Sequence, residues 1–180
     1  MMMMRCAGVT IELLVVGKLK NQFSYIHEGV AEYIKRLSPY CKVMITELAE
    51  EPIKQGMTDE KIKQKEAERI LAYLPEDAYW VALSERGSGY TSQQFAQELW
   101  QRHPAVNAGN QTSRGCVNRN QTRMIWIVGG PLGLATRVID QSHWQVSLST
   151  LTFPHPMVRL VWAEQVYRAF RILNNEPYHK

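Results

Sequence analysis

The C-terminal segment, residues 149–180, carries the side chains whose types and spacing best fit chemistry. His155 and Arg159 follow a proline-containing loop, and Tyr178 and His179 stand near the end of the sequence. Imidazole and phenol groups exchange protons and hydrogen bonds, and a guanidinium binds anions. Chain ends are usually poorly ordered and tolerant of change. A rigid, polar end therefore predicts a tail with a function.

The loop before His155 is a candidate ligand-binding loop. Residues 149–156 read STLTFPHP and lie between a predicted strand and the longest predicted helix. Because prolines restrict the shape of a loop, its backbone groups can contact adenine and ribose while ordering little on binding. The spacing supports a structural alternative equally well, in which Pro156 starts the helix and His155 caps it.

The turn GGPLG, residues 129–133, is a second candidate binding element. It follows an apolar strand and precedes a helix, and ligands in open α/β sheets bind at the carboxyl ends of strands. Glycines there allow close approach of the backbone to a nucleotide or nucleoside. The pattern is not G-x-G-x-x-G and Pro131 removes one amide, which disfavours a dinucleotide pocket. A plain tight turn is the alternative.

The last predicted helix carries basic residues among apolar ones. Glu164 and Arg168 form a favourable i,i+4 pair. Arg171 fits a solvated helix edge. For Arg159 and Arg168 we favour ligand contacts, because their helix begins at the candidate loop and leads into the tail.

The elements that must position these residues alternate along the chain. Apolar runs predict strands at residues 10–16, 43–48, 79–83, 124–128 and 146–148. Spacing and end signals predict helices at residues 23–37 with Ser24 as the cap, 58–74, 91–102, 134–140 and 157–173. Alternating strands and helices predict a parallel sheet with helices on both faces, a three-layer α/β/α sandwich.

Composition indicates one globular domain. The chain has 180 residues, of which 45% are hydrophobic and 21% charged, ordinary values for a folded domain. Three distant cysteines without a C-x-x-C pair predict reduced thiols in a cytosol, with no disulfide framework and no zinc site. Neither a signal peptide nor an eighteen-residue apolar run is evident, so we expect a soluble cytoplasmic protein with no membrane partner.

Two segments fall outside the alternating pattern. Residues 1–8 are interpreted as a disordered extension or a misplaced start, leaving one domain at residues 9–180. Residues 103–123 are polar and predict a surface loop or disordered insertion, whose arginines could contact RNA. The net charge falls from +4 to +1 without the three arginines of this stretch, 4 − 3 = 1, so charge alone does not indicate nucleic-acid binding.

Four motifs together resemble one known family. The GGPLG turn, the TLTFPHPMVR loop, the AEQVYRAFRI helix and the terminal PYHK resemble the SPOUT-class ribosomal RNA large subunit methyltransferase H (RlmH) family, from about residue 9 to 180. This resemblance implies a deep C-terminal trefoil knot, S-adenosylmethionine as cofactor, no metal, and a homodimer in which the tail of one protomer lies near the cofactor of the other. The implied substrate is N3 of a pseudouridine in 23S rRNA of the ribosome, at the subunit interface.

The matched motifs also imply site residues. Lys18 and Arg168 would contact RNA phosphates. The groups facing the target base would be His155, Arg159, Tyr178 and His179. The cofactor pocket, formed mostly by backbone groups, would be lined by Leu83, Gly129, Gly130, Gly133, Ser149, Thr150, Leu151, Thr152, Phe153 and Pro154. Leu132 and Phe153 depart from the family pattern, and Phe153 would slightly crowd the adenine site.

The implied reaction requires loss of the N3 proton as N3 attacks the methyl group. A neutral histidine can accept this proton, and the sequence leaves His155 and His179 as alternatives, with Tyr178 positioning the base. In a third alternative water takes the proton and Arg159 stabilises negative charge on the base carbonyls. A SPOUT-fold RNA-binding protein, or a methyltransferase acting on another RNA such as tRNA, is the alternative function.

Overall fold

The sheet confirms the predicted parallel α/β architecture. The computed structural model describes residues 9–53, 55–103 and 123–178. Over these residues, five parallel strands form one sheet in the order β2-β1-β4-β3-β5. Their bounds are β1 Thr10–Val16, β2 Lys42–Leu48, β3 Tyr79–Ser88, β4 Arg123–Val128 and β5 Trp144–Val146.

Helices cover both faces of the sheet, as the alternating pattern predicted. Their bounds are α1 Ser24–Leu37, α2 Asp59–Tyr73, α3 Ser92–Arg102, α4 Thr136–Gln141 and α5 His155–Leu173, with a short 3-10 turn at Asn21–Phe23 before α1. One apolar core packs α1, α3 and α5 against the sheet. A second core packs α2 and α4 against the opposite face. The chain therefore forms three layers.

The aromatic residues of the first core fix the long helix that carries the candidate site. The ring of Trp126 on β4 lies 6.2 Å from that of Trp162 on α5 and 5.4 Å from that of Trp144 on β5. Trp126 and Trp162 are fully buried. Because buried aromatics contribute large contact areas, these rings hold α5 against β4 and β5, the strands that precede the candidate turn and the candidate loop.

Several element boundaries differ from the sequence prediction. Thr58 and Thr91, predicted as the first residues of α2 and α3, are the N-cap residues of these helices, and Thr91 forms a full capping box with Gln94. Ser24 does not cap α1, because it is the first helical residue and Phe23 occupies the cap position. Strand β5 lies two residues earlier than predicted.

Leu83 is not the last residue of its strand, contrary to the sequence prediction. Strand β3 continues to Ser88, with a register shift in which Leu83 and Ser88 both stand opposite Val146. Such a shift disturbs the ladder and bends the strand. Leu83 is therefore the last residue of β3 before the irregular segment, and it is buried.

Some sequence predictions fall where nothing can be compared. Residues 1–8, almost all of the predicted 103–123 insertion, and His179 lie outside the described residues. In the described part, Cys41 is buried. The described helices include none long and apolar enough to cross a membrane, and the described residues bring together no three His, Cys, Asp or Glu side chains that could hold a metal ion.

Candidate functional site

The two candidate binding elements meet at one edge of the sheet. Parallel strands place their carboxyl ends together, so the segments after β4 and β5 lie on the same side as Gly17, which follows β1. His155 joins them, because its Nε2 lies 2.8 Å from the carbonyl oxygen of Gly129. The end of the 149–154 loop is thus tied to the 129–133 turn.

The 129–133 segment is a tight turn. The amide of Gly133 donates to the carbonyl oxygen of Gly130 at 2.9 Å, and Gly133 has a φ of +83° that favours glycine. A Cβ added at Gly129 would lie 2.6 Å from the carbonyl carbon of Gly133. The segment therefore has the geometry of the plain tight turn that the sequence left as an alternative. The same turn also presents the Gly129 carbonyl to His155.

Glu66 of α2 lies against this turn. Its carboxylate is buried and accepts the amide of Glu51 at 3.1 Å. Burial raises the pKa of Glu66, while hydrogen bonds from the amides of Glu51 and Gly130 oppose the shift. A Cβ at Gly130 would approach both carboxylate oxygens to 2.9 Å. The turn therefore packs directly on an acidic side chain that the sequence analysis did not identify.

Hydroxyl groups shape the start of the loop after β5. The amide of Ser147 donates to the carbonyl oxygen of Ser88 at 3.0 Å. The Oγ of Ser147 donates to the carbonyl oxygen of Ser149 at 2.8 Å, and the Oγ of Ser149 accepts a hydrogen bond from the amide of Leu151 at 2.9 Å. With His155 holding the other end, the loop leaves Leu151 74% exposed.

His155 is the first residue of α5, and Pro154 is at the N-cap. Pro156 lies in the first turn as the structural alternative expected, but the His155 imidazole contacts Gly129. Because a carbonyl oxygen only accepts, this hydrogen bond requires a proton on Nε2. Burial lowers the pKa of His155, and the charge of Arg159 lowers it further. The hydrogen bond to the Gly129 carbonyl opposes this shift. Neutral imidazole with Nδ1 unprotonated is therefore favoured at neutral pH.

Arg159 holds the loop after β1. Arg159 is only 2% exposed, and its guanidinium donates to the carbonyl oxygen of Gly17 at 2.5 Å and pairs with Glu47 at 3.2 Å. The same Glu47 oxygen accepts the amide of Leu19 at 2.9 Å. Lys18 lies exposed between these two anchored residues. Arg159 thus fixes the segment that presents Lys18.

Replacing Arg159 with methionine is expected to lower the free energy of unfolding by about 1–3 kcal/mol, because the Gly17 carbonyl and Glu47 lose a buried charged partner. Denaturant unfolding monitored by circular dichroism measures the change. Arg36→Met is the matched control, because Arg36 pairs with Glu32 on the exposed face of α1 and should show no measurable loss. Equal stability of the two variants would contradict this anchoring role.

Tyr178 packs against helices α1 and α5 of the same chain. Its hydroxyl donates to Glu164 at 3.2 Å and lies 3.3 Å from the hydroxyl of Tyr33 on α1. Its ring packs edge-on against Tyr167, and the Arg168 guanidinium lies 5.0 Å from the ring centre. The predicted Glu164–Arg168 pair is confirmed at 2.5 Å. The tail is therefore docked by hydrogen bonds, stacking and a cation.

The structure brings some predicted site residues together and separates others. His155 and Arg159 lie with the turn and the loop at the strand edge. Glu164, which Tyr178 contacts, follows His155 by nine residues, or about 14 Å along the helix axis. Tyr178 therefore lies well away from His155 of the same chain. Arg171, expected on a solvated edge, pairs with Glu176 of the tail at 2.6 Å.

Three residues at this edge escaped the sequence analysis: Gly17, Glu47 and Glu66. A signal was present for Glu66, because it stands four residues from both Ile62 and Ile70, which are buried on the same stripe of α2. A charged residue on an apolar stripe is rarely buried without a partner. No comparable pattern marks Glu47.

Comparison with known proteins gives consistent results over nearly the whole chain. Residues 9–179 match the family model described as "Predicted SPOUT methyltransferase". The protein named Ribosomal RNA large subunit methyltransferase H from Listeria monocytogenes serovar 1/2a is 40% identical over 175 residues, 96% of this chain and 100% of its own length. The protein of the same name from Exiguobacterium sp. is 38% identical over the same shares.

A solved structure of a probable methylase family protein from Haemophilus influenzae Rd KW20 covers 96% of this chain and 70% of its own. Its TM-score of 0.40 and identity of 13% are too low to support any inference. The family model and the full-length relatives are sufficient without it. The family match extends from residue 9 to residue 179 and the relatives cover 96% of the chain, so they show that the chain belongs to the SPOUT methyltransferase family.

Proposed function

We propose that this chain is a cytoplasmic enzyme that transfers a methyl group from S-adenosylmethionine to N3 of a pseudouridine in 23S rRNA, at the subunit interface of the large ribosomal subunit. The observation that carries the proposal is the joining of the 129–133 turn and the 149–154 loop by His155 at one sheet edge, in a chain of a methyltransferase family. The names of its full-length relatives support the ribosomal substrate.

The cofactor would lie between the turn and the loop. The donors and acceptors there are backbone groups, and the exposed Leu151 supplies apolar surface, which fits an adenosine. The binding residues are those expected from the sequence: Leu83, Gly129, Gly130, Gly133 and Ser149 to Pro154. S-adenosylmethionine supplies an electrophilic methyl group, and its sulfur keeps the electron pair of the broken carbon–sulfur bond.

His155 is the best-supported proton acceptor among the described residues. Its Nε2 is committed to Gly129, so Nδ1 is the nitrogen that can take the N3 proton while the N3 electron pair forms the new bond to carbon. The burial of Arg159 favours an indirect role, in which it positions the Gly17–Leu19 backbone. Lys18 and Arg168 would contact rRNA phosphates.

A knot and a dimer complete the proposal. The chain leaves β4 at Gly129, forms α4 and β5, and returns through His155 to Gly129 and through Arg159 to Gly17. This return supports the trefoil knot that the family resemblance implies. The distance between Tyr178 and His155 within one protomer supports a homodimer, in which the tail of each subunit serves the site of the other.

The test is methylation of ribosomes that lack this modification, with labelled S-adenosylmethionine and mass spectrometry of the rRNA fragments. We expect label on the interface pseudouridine, and none when the ribosomes are already methylated there. Label on tRNA with unlabelled rRNA would overturn the substrate assignment in favour of the alternative. Cofactor binding alone does not separate the two, because both would bind S-adenosylmethionine.

A further inference from the structure

One peptide group connects Glu66 to His155. The carbonyl of Gly129 and the amide of Gly130 are the two ends of the same peptide bond. The carbonyl oxygen accepts a proton from His155 Nε2 at 2.8 Å. The Glu66 carboxylate lies against Gly130, where an added Cβ would approach both carboxylate oxygens to 2.9 Å, and the Gly130 amide acts to lower the pKa of Glu66. The Glu66 carboxylate and the His155 imidazole therefore lie against the two ends of one peptide group.

The surroundings of Glu66 distinguish it from the other acidic residues nearby. Glu51 pairs with the side chains of Lys65, at 2.8 Å, and Arg69. Glu66 instead faces backbone amides, those of Glu51 and Gly130, and it is only 3% exposed. A carboxylate buried against amides is ordered and acts on the peptides that it contacts.

We propose that Glu66 is a positioning residue, which acts through the Gly129–Gly130 peptide to hold His155 in the tautomer protonated on Nε2. This inference rests on the proposed role of His155 as proton acceptor. A negative charge at the amide end polarises the peptide and makes its carbonyl a stronger acceptor. A stronger acceptor favours the proton on Nε2 and leaves the Nδ1 lone pair available. Glu66 thereby acts on the proton transfer without touching the substrate.

The tautomer is measurable without any assay of methyl transfer. Long-range proton–nitrogen NMR of protein labelled with ¹⁵N-histidine distinguishes Nε2–H from Nδ1–H imidazole, and His155→Gln identifies the signal. At alkaline pH, where imidazoles are neutral, we expect the wild-type His155 to be almost entirely Nε2–H. A predominant Nδ1–H form in the wild type would overturn the proposal.

Glu66→Gln is the decisive variant, because glutamine keeps the shape of the side chain and removes its charge. We expect a detectable Nδ1–H population at His155, and a kcat lower by roughly tenfold, a part of the 10²- to 10⁴-fold that a positioned base contributes. The KM for rRNA should be unchanged. Glu68→Gln is the matched control, the same change two residues away on α2 where the carboxylate is largely exposed, and it should alter neither quantity.

A purely structural role of Glu66 gives a different result. It predicts lower stability, or a weaker affinity for cofactor, with the His155 tautomer unchanged, and that outcome would overturn the relay. Should Glu66→Gln fail to fold, Glu66→Asp replaces it in the comparison of the His155 tautomer with the wild type. Aspartate keeps the charge but withdraws it from the Gly129–Gly130 peptide by one methylene. If the wild-type chain did not methylate rRNA, the proposed function would fail while the tautomer result would still stand by itself.

Discussion

His155→Gln is expected to lower the rate of methyl transfer to rRNA by about 10²- to 10⁴-fold, with S-adenosylmethionine still bound. The glutamine amide can still donate to the Gly129 carbonyl from the position that Nε2 occupies in the wild type. It has no basic nitrogen in the position of Nδ1, so the N3 proton has no acceptor there. Single-turnover assays on unmethylated ribosomes measure the chemical step, and calorimetry measures the cofactor affinity.

His179→Gln is the control for this prediction, because the sequence leaves both histidines as alternatives. If His179→Gln lost activity while His155→Gln stayed active, His179 would be the base. If both variants stayed active, water would be the proton acceptor. The three alternatives therefore give three different patterns across two variants.

The pH dependence of the single-turnover rate is a second test of the role of His155. Burial and the charge of Arg159 lower the pKa of His155, so its neutral form persists below the ordinary histidine range. Since the neutral form accepts the proton, the single-turnover rate should be full above this lowered pKa and fall as the pH drops through it. The residual rate of His155→Gln should lack this step. A wild-type rate that fell at the ordinary histidine pKa would contradict the burial of the imidazole in the working enzyme.

Local signals account for the parts of the fold that the sequence predicted well. The capping hydroxyls of Thr58 and Thr91 act within one helical turn, and their helices begin where predicted. Strand β5 was misplaced because it has three residues, too few for a periodic pattern. The extension of β3 to Ser88 depends on its pairing with Val146, a contact between segments that are distant in sequence.

In the candidate site too, the features set by local sequence were predicted, and the contacts between segments distant in sequence were not. The turn at residues 129–133 and the loop at 149–154 were identified from their own composition, because glycine and proline act on the local backbone. Which groups His155 and Arg159 contact could not be predicted, because their partners Gly129 and Gly17 come from other strands. From the sequence alone, a basic helix residue such as Arg159 can be interpreted as a ligand contact. Its burial, which favours an indirect role, becomes known only from the folded structure.

Deletion of residues 178–180 is expected to abolish methyl transfer while S-adenosylmethionine still binds. The tail docks on α1 and α5 through Tyr178, and through Glu176, which pairs with Arg171. The turn and loop proposed for the cofactor are some 14 Å away along α5, so they should stay intact. Loss of the Tyr178 ring contacts should cost about 1–2 kcal/mol, so thermal unfolding must first confirm that the shortened chain is folded at the assay temperature.

Tyr178→Phe separates packing from chemistry in the tail. It keeps the ring against Tyr167 and Arg168 but removes the hydroxyl that contacts Glu164 and Tyr33. A stable variant with a low kcat would assign the hydroxyl to the reaction. Full activity would limit Tyr178 to anchoring the residues that follow it.

Mixing two inactive variants tests whether the tail acts on the partner subunit. The shortened chain keeps His155, and full-length His155→Gln keeps the tail, so a heterodimer of the two contains one complete site if the tail crosses the interface. Random assembly makes about half of the dimers heterodimers, and activity should recover to about a quarter of the wild-type value. If the tail served its own subunit, neither pocket would be complete and mixing would restore nothing. Recovery would show that Tyr178 acts at the His155 site of the other subunit, and it would make dimerisation a requirement for catalysis.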